Sequence, residues 1–222
     1  ILVAGHYPRV LVYGALWGFI RRRDVLYWAD TNLLGILLKN DRSLWIRRAI
    51  LRGYFGRMLY LLYASTRTRD YYIWACGPYL LKARLRCLPW PHVTSQSLGS
   101  KACDERRTPF QVLYVGRLAP EKAVDRLIKA FWLLSDEWRK MALLRIVGDG
   151  TERESLEQLV RELSLKDAVE FVGAVPSGRV NKFYEEASIL VLPSHREHWG
   201  MVVSEAMASG LPVVVPFWVG SA

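Results

Sequence analysis

Cysteine is sparse in this chain, long apolar runs are missing, and acidic residues are scarce in its first half. The three cysteines, Cys76, Cys87 and Cys103, form no close pair and no metal-ligand spacing. An odd count without a framework excludes a disulfide-stapled scaffold and reads as reduced thiols in a cytoplasmic protein. The four histidines, His6, His92, His195 and His198, each read as structural or solvated residues. No apolar run approaches the roughly 18 residues that a membrane-spanning helix needs. The longest, residues 10–20, is shorter and holds two glycines. No repeat is visible, and 51% hydrophobic with 23% charged residues excludes a disordered tail, a collagen or a low-complexity array.

The shortage of acids is local. Residues 1–110 carry 18 Lys and Arg against 6 Asp and Glu, a net +12, and 15 of the 18 are arginine. Residues 111–222 carry 13 against 15, a net −2. The +10 total is therefore no uniform nucleic-acid signature, which would interleave basic residues with exposed aromatics throughout. Two regions with different partners are expected. The chain opens at Ile1 without a methionine and stops at Ala222 just after an apolar run, so a fragment cut inside a domain at each end is expected.

Residues 111–222 alternate strand-like and helix-like segments. Strands are expected at 111–115, 142–147, 169–172, 189–192 and 213–215. Between them, Val124, Leu127, Ile128, Phe131 and Leu134 fall at helical spacing, as do Leu156, Leu159, Val160 and Leu163, and then Val180, Phe183, Tyr184 and Ala187. A last helix is expected over 200–209, with Gly210 at its end. Apolar strands alternating with amphipathic helices imply a parallel sheet covered on both faces. The first half is less regular. Strands are expected at 9–13, 25–29 and 71–74, a long arginine-dotted helix at 41–63 and a short one at 78–83. The Ser/Lys/Arg-rich stretch that follows reads as a linker. The domain organisation is therefore 1–93, a linker at 94–109, and 110–222.

Doubly wound sheets bind ligands at the turns beyond their strand C-termini. After the first strand of the second domain come Gly116, Arg117 and Lys122; after the fourth come Glu197, Gly200, Met201 and Val202, and then Glu205 on the next helix. Arg117 and Lys122 can both reach one anion at a helix start, where N–H groups favour phosphate. They can equally be surface charges paired with Glu121 or Asp125. The N–H groups of Gly200, Met201 and Val202 offer a second anion site. Glu197 and Glu205 suit the vicinal hydroxyls of a sugar or ribose, because one carboxylate accepts two hydroxyl hydrogen bonds. An unrelated loop acid and a helix-start acid would look the same.

Four blocks narrow this: Val115-Gly116-Arg117-Leu118-Ala119-Pro120-Glu121-Lys122; Ile146-Val147-Gly148-Asp149-Gly150; Phe171-Val172-Gly173; and Leu192-Pro193-Ser194, Glu197, Trp199-Gly200, Glu205-Ala206-Met207-Ala208, Gly210-Leu211-Pro212-Val213-Val214. In this order they resemble the retaining glycosyltransferase family four, glycosyl transferases group 1. The resemblance implies an α/β fold of the GT-B type, two Rossmann-like domains with parallel sheets, here with an incomplete N-terminal and a truncated C-terminal domain. It implies transfer of a sugar from a nucleotide-sugar, such as a UDP- or GDP-sugar, with retention of configuration and without a metal or other cofactor. Arg117 and Lys122 would hold the diphosphate, Glu205 the ribose, Glu197 the transferred sugar and Val175 the base, with N–H groups of 200–202 helping. The departing diphosphate gathers negative charge, which aimed cations and N–H groups stabilise. Same-face attack assisted by that phosphate is implied, so Glu197 is not taken as a nucleophile. Ala123 stands where the family usually has glycine, and Trp199 where phenylalanine is commoner. The family's opening strand and glycine-rich loop find no match.

The acceptor side is read only in outline. Asp30, at a strand end, is more readily structural than catalytic. In the arginine-dotted helix, Arg47, Arg48 and Arg52 share one arc, while Arg42 and Arg57 point elsewhere. That suits an anionic membrane surface at the inner face, and equally a solvated basic face. A glycan or lipid-linked acceptor is expected, and nucleic acid is not. The alternatives are a nucleotide-sugar epimerase, a non-catalytic sugar-nucleotide binder and a basic membrane-surface protein.

Overall fold

A computed structural model describes residues 2–4, 8–29, 44–77, 84–88, 109–195, 197, 199–216 and 219. The chain divides into two compact units, residues 1–91 and 92–222.

Unit 1 is a four-stranded parallel sheet in the order β1 (Leu2–Ala4), β2 (Leu26–Ala29), β3 (Tyr60–Tyr63), β4 (Leu85–Cys87). Helix α1 (Pro8–Ile20) links β1 to β2; α2 (Leu44–Phe55) precedes β3; α3 (Thr66–Cys76) follows it. Three sequence expectations are corrected. Residues 9–13 are helical, because their apolar run is the first turn of α1, and the three-residue β1 before it is too short to show periodicity. The helix expected over 41–63 stops at Phe55. The N–H groups of Gly56, Arg57 and Met58 close its last turn onto Arg52, Tyr54 and Phe55, and residues 60–63 become the central strand β3. Residues 71–74 are not a strand but the middle of α3.

Over four residues Tyr71-Tyr72-Ile73-Trp74 has β-forming composition. Over eleven, the buried positions Thr68, Tyr71, Tyr72, Ala75 and Cys76 have helical spacing. Ser65 caps this helix, accepting from the Thr68 N–H at 3.3 Å. The core of unit 1 is aromatic: Phe55 sits 5.3 Å from both Tyr27 and Tyr72, ring centre to ring centre. Arg48 lies over Trp74 at 5.8 Å, so this arginine of the basic arc is turned toward α3. The helix expected at 78–83 and most of the expected linker lie outside the described residues.

Unit 2 contains β5 (Phe110–Val115), β6 (Ala142–Val147), β7 (Val169–Gly173), β8 (Ile189–Val191) and β9 (Val213–Val214), with helices α4 (Val124–Trp132), α5 (Asp136–Met141), α6 (Arg153–Glu162), α7 (Ser177–Glu186) and α8 (Met201–Ala208). All strand pairs are parallel, in the order β7-β6-β5-β8-β9. Alternation along β5 sorts the core into two layers. Tyr114 joins Ile128, Phe131, Leu144 and Leu156 in one cluster, and Leu113 and Val115 join Tyr184, Leu190 and Ala206 in the other. Each fully buried Leu, Ile, Val or Phe among them contributes about 1.5–3 kcal/mol. The six-residue α5 has no counterpart among the expected elements, being too short to show a period. Its acids in the first turn and Arg139 and Lys140 in the last complement the helix dipole.

Candidate donor site of the second unit

Strands β5 and β8 are neighbours at the point where the order of the second sheet reverses: β6 and β7 build out on one flank and β9 on the other. Connections there leave to opposite sides, which opens a crevice at the strand C-termini. The two loops holding most of the candidate residues leave from this crevice.

The loop after β5 is tightly held. Buried Tyr114 donates from its hydroxyl to the carbonyl of Arg117 at 3.0 Å. Burial first, and then the Glu197 and Glu121 carboxylates, push this phenol well above its ordinary range, so it remains a donor. The N–H of Gly116 donates to Val147 (3.0 Å), that of Leu118 to Asp149 (2.9 Å), and that of Glu152 back to Leu118 (3.1 Å). This backbone lacing admits no side chain: a Cβ on Gly148, at φ +140°, would stand 1.8 Å from the Gly116 carbonyl oxygen. A Cβ on Gly150 would stand 2.2 Å from that of Leu118. The short helix Pro120–Lys122 then ends at Ala123, which takes a left-handed conformation (φ 52°, ψ 40°).

The loop after β8 is tied to this one. The N–H of His195 donates to the carbonyl of Glu121 at 2.8 Å. Lys122 Nζ donates to Glu197 Oε2, an ion pair across 75 residues of sequence, each side chain only 16% exposed. Arg117 donates to Glu121 Oε1 at 2.6 Å, but with its side chain 68% exposed. A hydrogen bond from its own backbone N–H, reinforced by Arg117 and Lys122, holds the Glu121 carboxyl below its usual range. Of the pairings that spacing left open, Arg117 takes the surface partner Glu121, whereas Lys122 forms its ion pair with Glu197 across the crevice. Asp125 takes neither, pairing instead with Lys129 at 3.0 Å.

Gly200 caps α8 with φ 77°, which glycine adopts freely, and places Met201 and Val202 in the first turn, where N–H groups have no intrahelical acceptor. Glu205 follows one turn later, and its Oε2 accepts from Tyr184 on α7 at 2.8 Å. Val175, in the connection from β7 to α7, packs against the same core cluster as Val202. It lines an open hollow of about 600 Å³ with Ala174, Pro176, Arg179 and Phe183.

The structure thus brings Gly116, Arg117, Lys122 and Glu197 together and makes a second polar centre of Glu205 and Tyr184. Val175 lies further along the same edge of the sheet, at the end of β7, two strands from β5. Sequence reading missed Tyr114, Tyr184 and the steric need for Gly148. The only signal for Tyr184 was its inward place in a helical stripe. Among the described residues, no group of three or more His, Cys, Asp or Glu could hold a metal, and no helix is long and apolar enough to cross a membrane. His6, Asp30, His92 and His198 lie outside the described residues, and His195 is exposed.

Comparison with known proteins identifies the family and the fold. Residues 100–219 match the family described as Glycosyl transferases group 1, and the chain belongs to that family. An uncharacterized glycosyltransferase of Methanocaldococcus jannaschii is 40% identical over 104 residues, 47% of this chain and 26% of the relative. A D-inositol 3-phosphate glycosyltransferase of Thermomonospora curvata is 35% identical over 116 residues, 49% of this chain and 27% of the relative. The matched stretch is thus about a quarter of the length of these relatives. The fold is shared more widely. HepE of Anabaena, solved in complex with UDP, superposes with a TM-score of 0.77 at 21% identity, covering 99% of this chain and 60% of that one. The lipopolysaccharide outer core galactosyltransferase WaaB superposes at 0.70 and 22% identity, covering 96% and 56%. The fold is therefore α/β of the GT-B type, with two Rossmann-like units.

Proposed function

We propose that residues 110–222 hold the donor site of a retaining glycosyltransferase that moves a sugar from a nucleotide-sugar to a glycan or lipid-linked acceptor. The observation that carries this reading is the pairing of Lys122 with Glu197 across the β5–β8 crevice. It puts a mostly buried cation and a carboxylate at one point, on the loop that leads into α8, whose first turn is followed by a second carboxylate, Glu205.

In this reading the diphosphate of the donor takes over Lys122 and Arg117, each of which now holds a carboxylate in the same role. Glu197, released from Lys122, accepts hydroxyls of the transferred sugar. The N–H groups of residues 200–202 add fixed dipoles toward the phosphate, and Glu205 accepts the ribose hydroxyls. As the glycosyl–oxygen bond breaks, its electron pair stays with the diphosphate, where the two cations and the helix start stabilise it. No metal is needed for that stabilisation. The acceptor oxygen attacks on the face the diphosphate leaves, and the departing phosphate takes its proton. HepE has been solved with UDP and with UDP-glucose, which favours a uridine nucleotide among the candidate donors. On the acceptor side, exposed Trp45, Ile46 and Ile50 on α2, among arginines, favour an anionic membrane surface as the place where the acceptor is met.

Isothermal titration of the chain with UDP and GDP tests the donor site. One nucleotide binds, and Glu205→Ala weakens it at least about 10-fold, the loss expected for hydrogen bonds to a charged group. Failure of both nucleotides to bind overturns the assignment.

A further inference from the structure

Glu205 meets its ligand in the proposed reading, yet nothing in α8 itself fixes its side chain. A glutamate loses about 1.5–2 kcal/mol of rotamer entropy when held in one conformation, so a free Glu205 would bind hydroxyls poorly. The structure supplies the restraint from another helix. Tyr184 lies on α7, 21 residues earlier, with its side chain wholly buried beside Leu113, Val180 and Ala206. A ring fixed on all sides aims its hydroxyl at a single point, and Glu205 Oε2 lies there at 2.8 Å. The acceptor is a carboxylate, so the bond is charge-assisted and shorter and stronger than a neutral one.

We infer that Tyr184 is the positioning residue for Glu205: by holding Oε2 it turns Oε1 and the remaining lone pairs of the carboxylate toward the two ribose hydroxyls of the donor. This rests on the donor-site reading above and deepens it by naming what makes the ribose contact specific. A carboxylate offers about four lone-pair positions, so one tyrosine bond leaves enough for a vicinal diol. Burial of the phenol, and its bond to Glu205, push its ionisation upward, so the hydroxyl keeps donating wherever the carboxylate is charged.

The test is titration of the 222-residue chain with UDP and with 2′,3′-dideoxyuridine diphosphate, which keeps the base and diphosphate but lacks both hydroxyls. Tyr184→Phe retains the buried ring and removes only the donor. It is expected to weaken UDP about 10-fold and the dideoxy analogue less than about twofold. The double variant with Glu205→Ala should bind UDP no worse than Glu205→Ala alone, because both changes remove one interaction. Equal weakening toward both ligands, no weakening toward either, or additive losses in the double variant each overturn the positioning role. Failure of the unaltered chain to bind UDP or GDP instead overturns the donor site and this inference with it. Melting curves with and without ligand accompany each variant. If Tyr184→Phe does not fold, Glu205→Gln carries the test, because its amide still accepts from Tyr184 and should retain more UDP affinity than Glu205→Ala.

Discussion

Ala123 shows how one residue shapes the loop after β5. It is buried, and its φ of 52° is the left-handed conformation that the loop needs between the short helix at Pro120 and α4. A non-glycine residue there costs about 1–2 kcal/mol. Glycine would relieve this, but the loss of a buried methyl, about 0.8 kcal/mol, and the greater chain entropy, about 0.5–1 kcal/mol, offset the gain. Ala123→Gly is therefore expected to melt within about 3 °C of the unaltered chain. Ala123→Val keeps the strain and adds about 1–3 kcal/mol of overpacking, so its melting point should fall by more than about 4 °C. Differential scanning calorimetry on the pair decides it. An equal drop for both would mean that the methyl, not the backbone, dominates.

Between elements, the laced loops after β5 and β6 matter most. Gly148 allows the two backbones to touch, and the cations of the site stand on the loop it supports. Gly148→Ala drives a methyl into the Gly116 carbonyl. It is expected to cost about 3 kcal/mol or more, as large steric strain does, and to abolish UDP binding. Gly53→Ala is the control: a Cβ there meets nothing within 4 Å on an exposed turn of α2. It should raise stability by about 0.5–1 kcal/mol and leave UDP affinity unchanged. Chemical denaturation and titration on both variants measure this. How legible each element is in the sequence follows from window length. Helices of unit 2 such as α4 and α6 run for nine or ten residues with apolar stripes, and their periodicity is readable. In unit 1 the strands have three or four residues, too few to separate a period of 2 from one of 3.6, and four β-forming residues inside a helix, Tyr71–Trp74, look the same as such a strand.

Across the whole molecule, charge is unevenly shared, and the proposed donor site does not draw on the excess. The +12 belongs to residues 1–110, while the residues that carry the site total −2. Binding should then depend on two placed cations, one of them sheltered, and not on a broad basic field. Sheltered pairs are screened less than exposed ones. Raising salt from about 50 to 500 mM should therefore weaken UDP less than about 10-fold, and Lys122→Ala should weaken it more than that rise in salt does. A fall of 100-fold in the salt titration would show that the basic half takes part.

By itself the sequence determined the parallel α/β character of the second unit, the loops that hold the candidate residues and the family to which the chain belongs. These depend on local periodicity and on contiguous motifs. Tertiary structure alone decided the partners: Lys122 with Glu197 and not Asp125, and Glu205 with Tyr184. Such pairs span 75 and 21 residues and exist only because the strand order puts β5 beside β8 and the core presses α7 against α8. Periodicity reports which face of an element is buried, whereas what it meets there depends on the packing of the whole domain.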